Sequence, residues 1–176
     1  MTEYEKNLPV EVAYPPHIIE TCLAKVIADA GLRQLHIAET EKYAHVTFFL
    51  NGMQEEEYPG EDRAIIPSPR VSSYDQEPAM SAGKITERVV KETAGGQYDF
   101  IVLNFANPDM VGHTGNYEAT VQANEYVDQC LGQIADAVPT VGCALVTAVD
   151  HGAAEEVSNH LTRAVQQEHT TNSVPS

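Results

Sequence analysis

Short apolar runs bounded by turn residues alternate along this chain with longer segments whose apolar residues recur every three or four positions. The first pattern predicts buried strands and the second predicts helices. Val10 to Tyr14 reads as a short strand ended by Pro15-Pro16. Ile18, Ile19, Cys22, Leu23, Val26 and Ile27 fall at helical spacing, so a helix is predicted from about Pro16 to Ala30, with Gly31 as its C-terminal stop. Arg33 to Ala38 is a second strand, with Leu35 and Ile37 on one face. Glu41 to Leu50 fits a helix ending at Asn51-Gly52, and Gln54 to Asp62 reads as an acidic, exposed loop. Ile65-Ile66 is a short strand bounded by Pro67 and Pro69. A loop rich in Ser and Pro leads to Ser81, the predicted cap of a helix from Ala82 to Ala94. Phe100 to Leu103 and Val141 to Val149 are buried strands, joined by a long helix from about Asn116 to Val138 that ends at Pro139. The tail from Gly152 to Ser176 is polar and shows no clear period. Alternation of this kind predicts a mostly parallel sheet covered by helices on both faces, a three-layer α/β/α arrangement. Ligands in such sheets bind beyond the carboxyl ends of the strands.

Candidate chemistry collects at those ends. Asn107 to His113 follows the Phe100–Leu103 run, and Asp150-His151-Gly152 follows the Ala144–Val149 run. His169-Thr170-Thr171-Asn172 forms a third cluster in the tail. Carboxylate and imidazole lone pairs held at strand ends are what a divalent-metal site needs. Three such clusters point to two ions in one crevice. Each residue also has a plainer account. Asp109 serves equally as a helix cap with His113 exposed, Asp150 as a turn cap, and His169 as a solvated side chain. Two such coincidences at successive strand ends favour the metal reading. His17, His36, His45 and His160 read as structural or surface residues, and Glu55-Glu56-Glu57 as a solvated loop without the interleaved spacing of a calcium loop.

Charge narrows the partners. The 176 residues carry 10 Lys plus Arg against 26 Asp plus Glu, a formal net charge of -16. Nucleic acid and anionic membrane are therefore not expected, since both are bound through clustered cations. An anionic substrate would need positive charge placed locally. Cys22, Cys130 and Cys143 show no CxxC spacing. Cys130 and Cys143 sit in apolar stretches and read as buried free thiols, which fits a reducing cytoplasm. The chain has no apolar run of about 18 residues, and its acidic, polar beginning is unlike a signal peptide.

Several of these segments carry a resemblance. Arg33 to Phe49, with Glu39-Thr40-Glu41-Lys42-Tyr43-Ala44-His45 at its centre, the Gly60-Glu61-Asp62-Arg63 turn, Asn107 to Gly115, and Asp150-His151-Gly152 resemble the cofactor-independent phosphoglycerate mutases, a branch of the alkaline phosphatase superfamily. The resemblance implies an alkaline phosphatase-like α/β/α fold and two divalent ions, manganese first, with zinc, magnesium, iron or cobalt as alternatives. By motif, Asp109, His113 and His169 would hold one ion, and Asp150 and His151 would help hold the other. Lys42 would lie beside the phosphoryl group as an active-site cation. The implied reaction interconverts 3-phosphoglycerate and 2-phosphoglycerate through a phosphoserine, in glycolysis and gluconeogenesis, in a cytoplasmic and monomeric enzyme.

Members of that family are roughly three times as long. Residues 1–176 are therefore expected to be a partial, truncated phosphatase-type domain, without the nucleophile segment and the second, substrate-gripping domain, and inactive alone. The chain departs from the family at Val149, at Ala153 and at Glu168-His169. A truncated sheet is expected either to self-associate through an open edge or to leave residues 153–176 poorly packed. Two other classes of function are weighed against this. A stand-alone metallophosphatase needs an internal nucleophile, and Ser72, Ser73, Ser81 and Ser158 occupy no strand-to-helix elbow. A non-catalytic metal-binding module needs none.

Overall fold

The computed structural model describes residues 19–157 and 168–174. The strand expected at Val10–Tyr14 lies outside them, as do residues 158–167 of the tail, and the first helix begins only at Leu23, since residues 19–22, expected within it, are not helical and Cys22 is extended. The described elements are α1 (Leu23–Asp29), β1 (Gln34–Glu39), α2 (Tyr43–Val46), β2 (Glu61–Ile66), α3 (Ala82–Gly95), β3 (Phe100–Asn104), α4 (Asn107–Gly112) and α5 (Tyr117–Ala137). The three strands form a parallel sheet in the order β2-β1-β3.

Each face of this sheet has its own chemistry, because successive strand residues point to opposite sides. On one face Ile37, Ala64, Ile66, Ile101 and Leu103 meet Ile85 and Val89 of α3 and Ile134 of α5. This is the main core, and Leu35, buried two residues before Ile37 on the same strand, shares its side of the sheet as expected. The other face is polar yet buried. Gln34 donates to the Ala24 carbonyl of α1 at 2.9 Å, and His36 Nε2 lies 3.0 Å from Gln34 Oε1. Arg63 donates to Glu61 at 2.5 Å, and Asn51 donates to the same carboxylate at 2.8 Å. Burial pushes the His36 imidazole below its ordinary range, and the neighbouring Glu61 only partly opposes that. Helices α1 and α2 cover this side, so the structure has the three layers the alternation implied. A smaller cluster of Met80, Ala106, Val111, Ala119 and Ala123 fastens α4 to α5.

Four further details differ from the sequence reading. The helix expected over 41–50 is broken into a 3₁₀ turn (Thr40–Lys42) and the single turn α2, which suits its β-branched and aromatic residues. The strand at Ile65-Ile66 begins at Glu61, because Glu61 and Arg63 are buried as a pair and so can occupy the interior. Cys130 is buried as expected, but Cys143 is exposed. The strand expected over Val141–Val149 is not formed. After the 3₁₀ turn Val138–Val141, Gly142 takes φ 75°, and residues 143–149 pair with no strand among the described residues. An apolar run becomes a strand only beside a partner, and Val146 here is 88% exposed. By contrast α5 follows its predicted span closely. The Asn116 side chain caps it by accepting from the Ala119 amide at 3.2 Å, and Pro139 follows its end.

Glu39 closes β1 and is fully buried, with neither carboxylate oxygen hydrogen-bonded among the described residues. Burial pushes its carboxyl above the usual range, and the nearby Ser68 hydroxyl and Ser81 amide oppose this only in part. A carboxyl whose folded pKa is raised binds its proton more tightly in the folded chain. Its charge therefore costs stability, a loss that builds as pH rises from the unfolded value through the raised folded one and levels off above it. Glu39→Gln should remove this pH dependence. The stability difference between variant and wild type should grow in favour of the variant from about pH 4.5 upward, as read by urea unfolding across pH.

Candidate metal centre

The carboxyl ends of β1 and β3 deliver the first groups. The 3₁₀ turn after β1 carries Lys42, whose side chain is 9% exposed. Beyond β3, Pro108 opens α4, Asp109 lies in its first turn, and His113 follows one helical turn later. Spacing of four residues on a helix puts both side chains on one face. His113 Nε2 stands 3.0 Å from Asp109 Oδ1, and His169 Nε2 stands 3.0 Å from the same oxygen. His151 Nε2 is 3.9 Å away. Lys42 Nζ takes the other oxygen, Oδ2.

Asp109 is thus the hub of four positively charged or potentially positive groups. Burial alone would push its carboxyl up. The Lys42 ammonium bonded to it, with His113 and His169, overcomes that and holds it below the usual carboxylate range. The rings are layered as well: His151 stacks on His169 with centroids 3.6 Å apart, and His113 lies 5.1 Å from His169. Ligand atoms of Asp109, His151 and His169 all fall within 4.8 Å of one another, close enough to share one metal ion. His113 and His169 are within hydrogen-bond distance of Asp109 Oδ1, while His151 Nε2 at 3.9 Å is too far to bond it directly and keeps its lone pair for another partner. The buried Nδ1 of His151 also has no partner among the described residues. This donor set fits a divalent cation, with lone pairs from nitrogen and oxygen and no thiolate.

The structure brings His151 beside the expected group of Asp109, His113 and His169. His151, expected to pair with Asp150, turns inward to Asp109 and His169. Asp150 is 61% exposed and lies 3.7 Å from its neighbour His151. The distant His169 is brought in by a short antiparallel bridge between Gly152 and Thr170, in which the Thr170 amide donates to the Gly152 carbonyl at 2.8 Å. Glu155 completes the clasp. It accepts from the Ala153 amide at 2.7 Å, from Asn172 at 3.1 Å and from the Thr170 hydroxyl. These hydrogen bonds, the Thr170 hydroxyl foremost, draw its carboxyl down. Sequence reading missed Glu155. An acid three residues past a glycine turn was its only signal. It also set His45 apart, whereas that exposed imidazole stands at the margin of the site. Burial first, then the Lys42 charge, lower its pKa, and Asp150, Asp109 and His151 also act on it.

Gly152 is required by this clasp, since a Cβ there would collide with the Thr170 hydroxyl and the Glu155 carboxylate. Gly152→Ala is therefore expected to push Thr170 away and to carry His169 with it. Calorimetric titration should show manganese affinity lowered by about tenfold or more, an effect of the order seen when groups supporting a ligand are lost. The fold outside 152–174 should keep its thermal midpoint.

Comparison with known proteins agrees with this chemistry. The Metalloenzyme superfamily matches residues 12–176. The 2,3-bisphosphoglycerate-independent phosphoglycerate mutase of Chloroflexus aggregans is 53% identical over 175 residues, which are 99% of this chain and 32% of that protein. Phosphoglycerate mutase 1 of this type from Methanosarcina barkeri is 52% identical, over 99% of this chain and 34% of its own. A crystal structure of Leishmania mexicana phosphoglycerate mutase, determined at low cobalt concentration, superimposes with a TM-score of 0.83 at 30% identity, covering 89% of this chain and 31% of that one. The chain spans about a third of the length of the curated relatives it matches. With its parallel α/β sheet and its Asp-His cluster beyond the strand ends, the chain belongs to the Metalloenzyme superfamily.

Proposed function

We propose that this chain supplies the metal-holding part of a phosphoglycerate mutase that moves a phosphoryl group between the 3- and 2-hydroxyls of glycerate. The observation that carries this reading is the convergence of three histidines and Lys42 on Asp109, in a chain 53% identical to named mutases. Asp109, His113, His151 and His169 would hold divalent metal, manganese being the first choice, with Asp150 available to a second ion. Bound metal would polarise phosphoryl oxygens and make an attacking hydroxyl more acidic. Asp109 stays ionised and orients the Lys42 ammonium through Oδ2. Lys42 then presents a fixed positive charge to a phosphoryl group, whose charge spreads over three equatorial oxygens as it transfers. This local charge accounts for anion binding by a protein of net charge -16. The donor set suits manganese, cobalt, zinc and iron alike. A glycolytic role in the cytoplasm fits three unpaired cysteines. Among the described residues no helix is long and apolar enough to cross a membrane.

Exchanging this chain for the matching third of the Chloroflexus aggregans relative tests the reading. The chimera should convert 3-phosphoglycerate in a manganese-supplemented coupled assay, and His151→Ala in the chimera should lower the rate by about 100-fold or more. The chain by itself should bind manganese without turnover, because a two-step transfer requires a nucleophile to accept the group. A folded chimera that turns over equally well with Ala at 151 would refute the assignment.

A further inference from the structure

The Lys42 ammonium is committed on one side to Asp109 Oδ2. A phosphoryl group presents three equatorial oxygens, and an ammonium that already shares its protons with a carboxylate leaves part of that charge unanswered. His45 stands three residues beyond Lys42, so the single helical turn of α2 carries it on the same side. Lys42 is buried and His45 is exposed, which makes Lys42 the floor and His45 the rim. Lys42, Asp150, Asp109 and His151 all act electrostatically on the His45 ring, so it faces the same crevice. We infer that His45 is a substrate-holding residue, which donates a ring N–H to a phosphoryl oxygen that Lys42 does not take.

The local backbone is built to aim this ring. Thr47 ends α2 with φ -120° and ψ -88°, outside the regular regions, and its hydroxyl donates to the Tyr43 carbonyl at 2.8 Å. The Phe49 amide then reaches back five residues to the Ala44 carbonyl at 2.9 Å. Buried Asn51 pins the turn from below by donating to Glu61 at 2.8 Å. Gly52 closes it at φ 71°, where a Cβ would stand 2.6 Å from the Ile19 carbonyl oxygen. The result sets the Phe49 ring edge-on to His45, with centroids 5.6 Å apart and planes at 66°, and Phe48 backs Phe49 at 5.2 Å. Phe49 is itself 51% exposed, so the turn does not serve to bury it. What the turn fixes is the direction of the imidazole.

The ring is also available. Among the described residues Asp109 is occupied by Lys42, His113 and His169, and His45 is hydrogen-bonded to none of them. Even a neutral imidazole has one N–H to give. The inference rests on the mutase reading for its substrate and adds to it the residue that receives the phosphoryl group at the rim.

His45→Ala in the manganese-loaded chimera tests it through two readouts. KM for 3-phosphoglycerate should rise by about tenfold, the size of one hydrogen bond to a charged group, with most of the loss in KM and little in kcat. Inorganic phosphate, titrated calorimetrically, should bind about tenfold more weakly. His45→Gln keeps a side-chain N–H and should stay within about threefold of the parent chimera. Phe49→Ala leaves the imidazole in place but unsupported, and should cost about threefold. Manganese affinity should be the same in all three, because His45 is outside the ligand set. Unchanged KM and phosphate affinity in folded His45→Ala would overturn the inference, and so would His45→Gln behaving like His45→Ala. A fall in manganese affinity would overturn it in favour of a metal ligand. The phosphate titration needs no turnover. A chimera silent in the assay that still shows the tenfold phosphate loss would therefore refute the mutase reading and uphold His45 as a phosphate-binding residue.

Discussion

Replacing Asp109 by Asn is expected to abolish metal binding while leaving a folded but weakened protein. Three histidine nitrogens and one ammonium face this carboxylate, so its charge is what holds them together. Manganese affinity should fall by at least about 100-fold, since a charged ligand is lost and nearby imidazoles face uncompensated cations. The Lys42 side chain, 9% exposed, also loses its partner. Breaking a buried ion pair from one side costs about 3–5 kcal/mol, because the remaining charge is stranded. The double variant Asp109→Asn, Lys42→Met separates the two effects. It should recover most of the lost stability in urea unfolding and none of the metal binding. Recovery of both would mean that Asp109 acts only as a counter-ion.

The second large effect is expected in the core. Ile85 is fully buried between α3, the sheet and α5. Ile85→Ala removes three carbons from the cluster that includes Ile37, Val89 and Ile134, and should cost about 2–5 kcal/mol in urea unfolding. Metal affinity in the folded fraction should hardly change, because the site rests on the strand ends and not on this layer. Ile65→Ala is the internal contrast: its side chain is on the other face and 49% exposed, so a loss of about 0.5 kcal/mol or less is expected.

Much of the fold was legible because period and punctuation agreed. The α5 span lies between an Asn cap and a Pro, its apolar residues keep helical spacing throughout, and the structure follows it. Strands β1 and β3 were readable as apolar runs next to turn signals. What failed had a common cause, since a sequence pattern reports burial but not who provides it. Residues 143–149 are as apolar as β3, yet they remain unpaired because no described strand lies beside them. Glu61 and Arg63 read as loop residues, and they are inside the sheet because they neutralise each other there. At the site, Asp109 and His113 were legible from spacing on one helical turn. The place of His169 was not, since the bridge from Gly152 to Thr170 joins segments 18 residues apart with no periodic signal. The clasp made by Glu155 was invisible for the same reason.

The central claim is that Asp109, His113, His151 and His169 form a metal centre. Anomalous diffraction from crystals grown with manganese tests it most directly. The account predicts a strong peak within about 2.0–2.3 Å of an Asp109 oxygen and of at least two of the three imidazoles. It also predicts that the peak vanishes in Asp109→Asn crystals. A map with no peak there at saturating manganese, with His113 and His169 still hydrogen-bonded to Asp109, would contradict it.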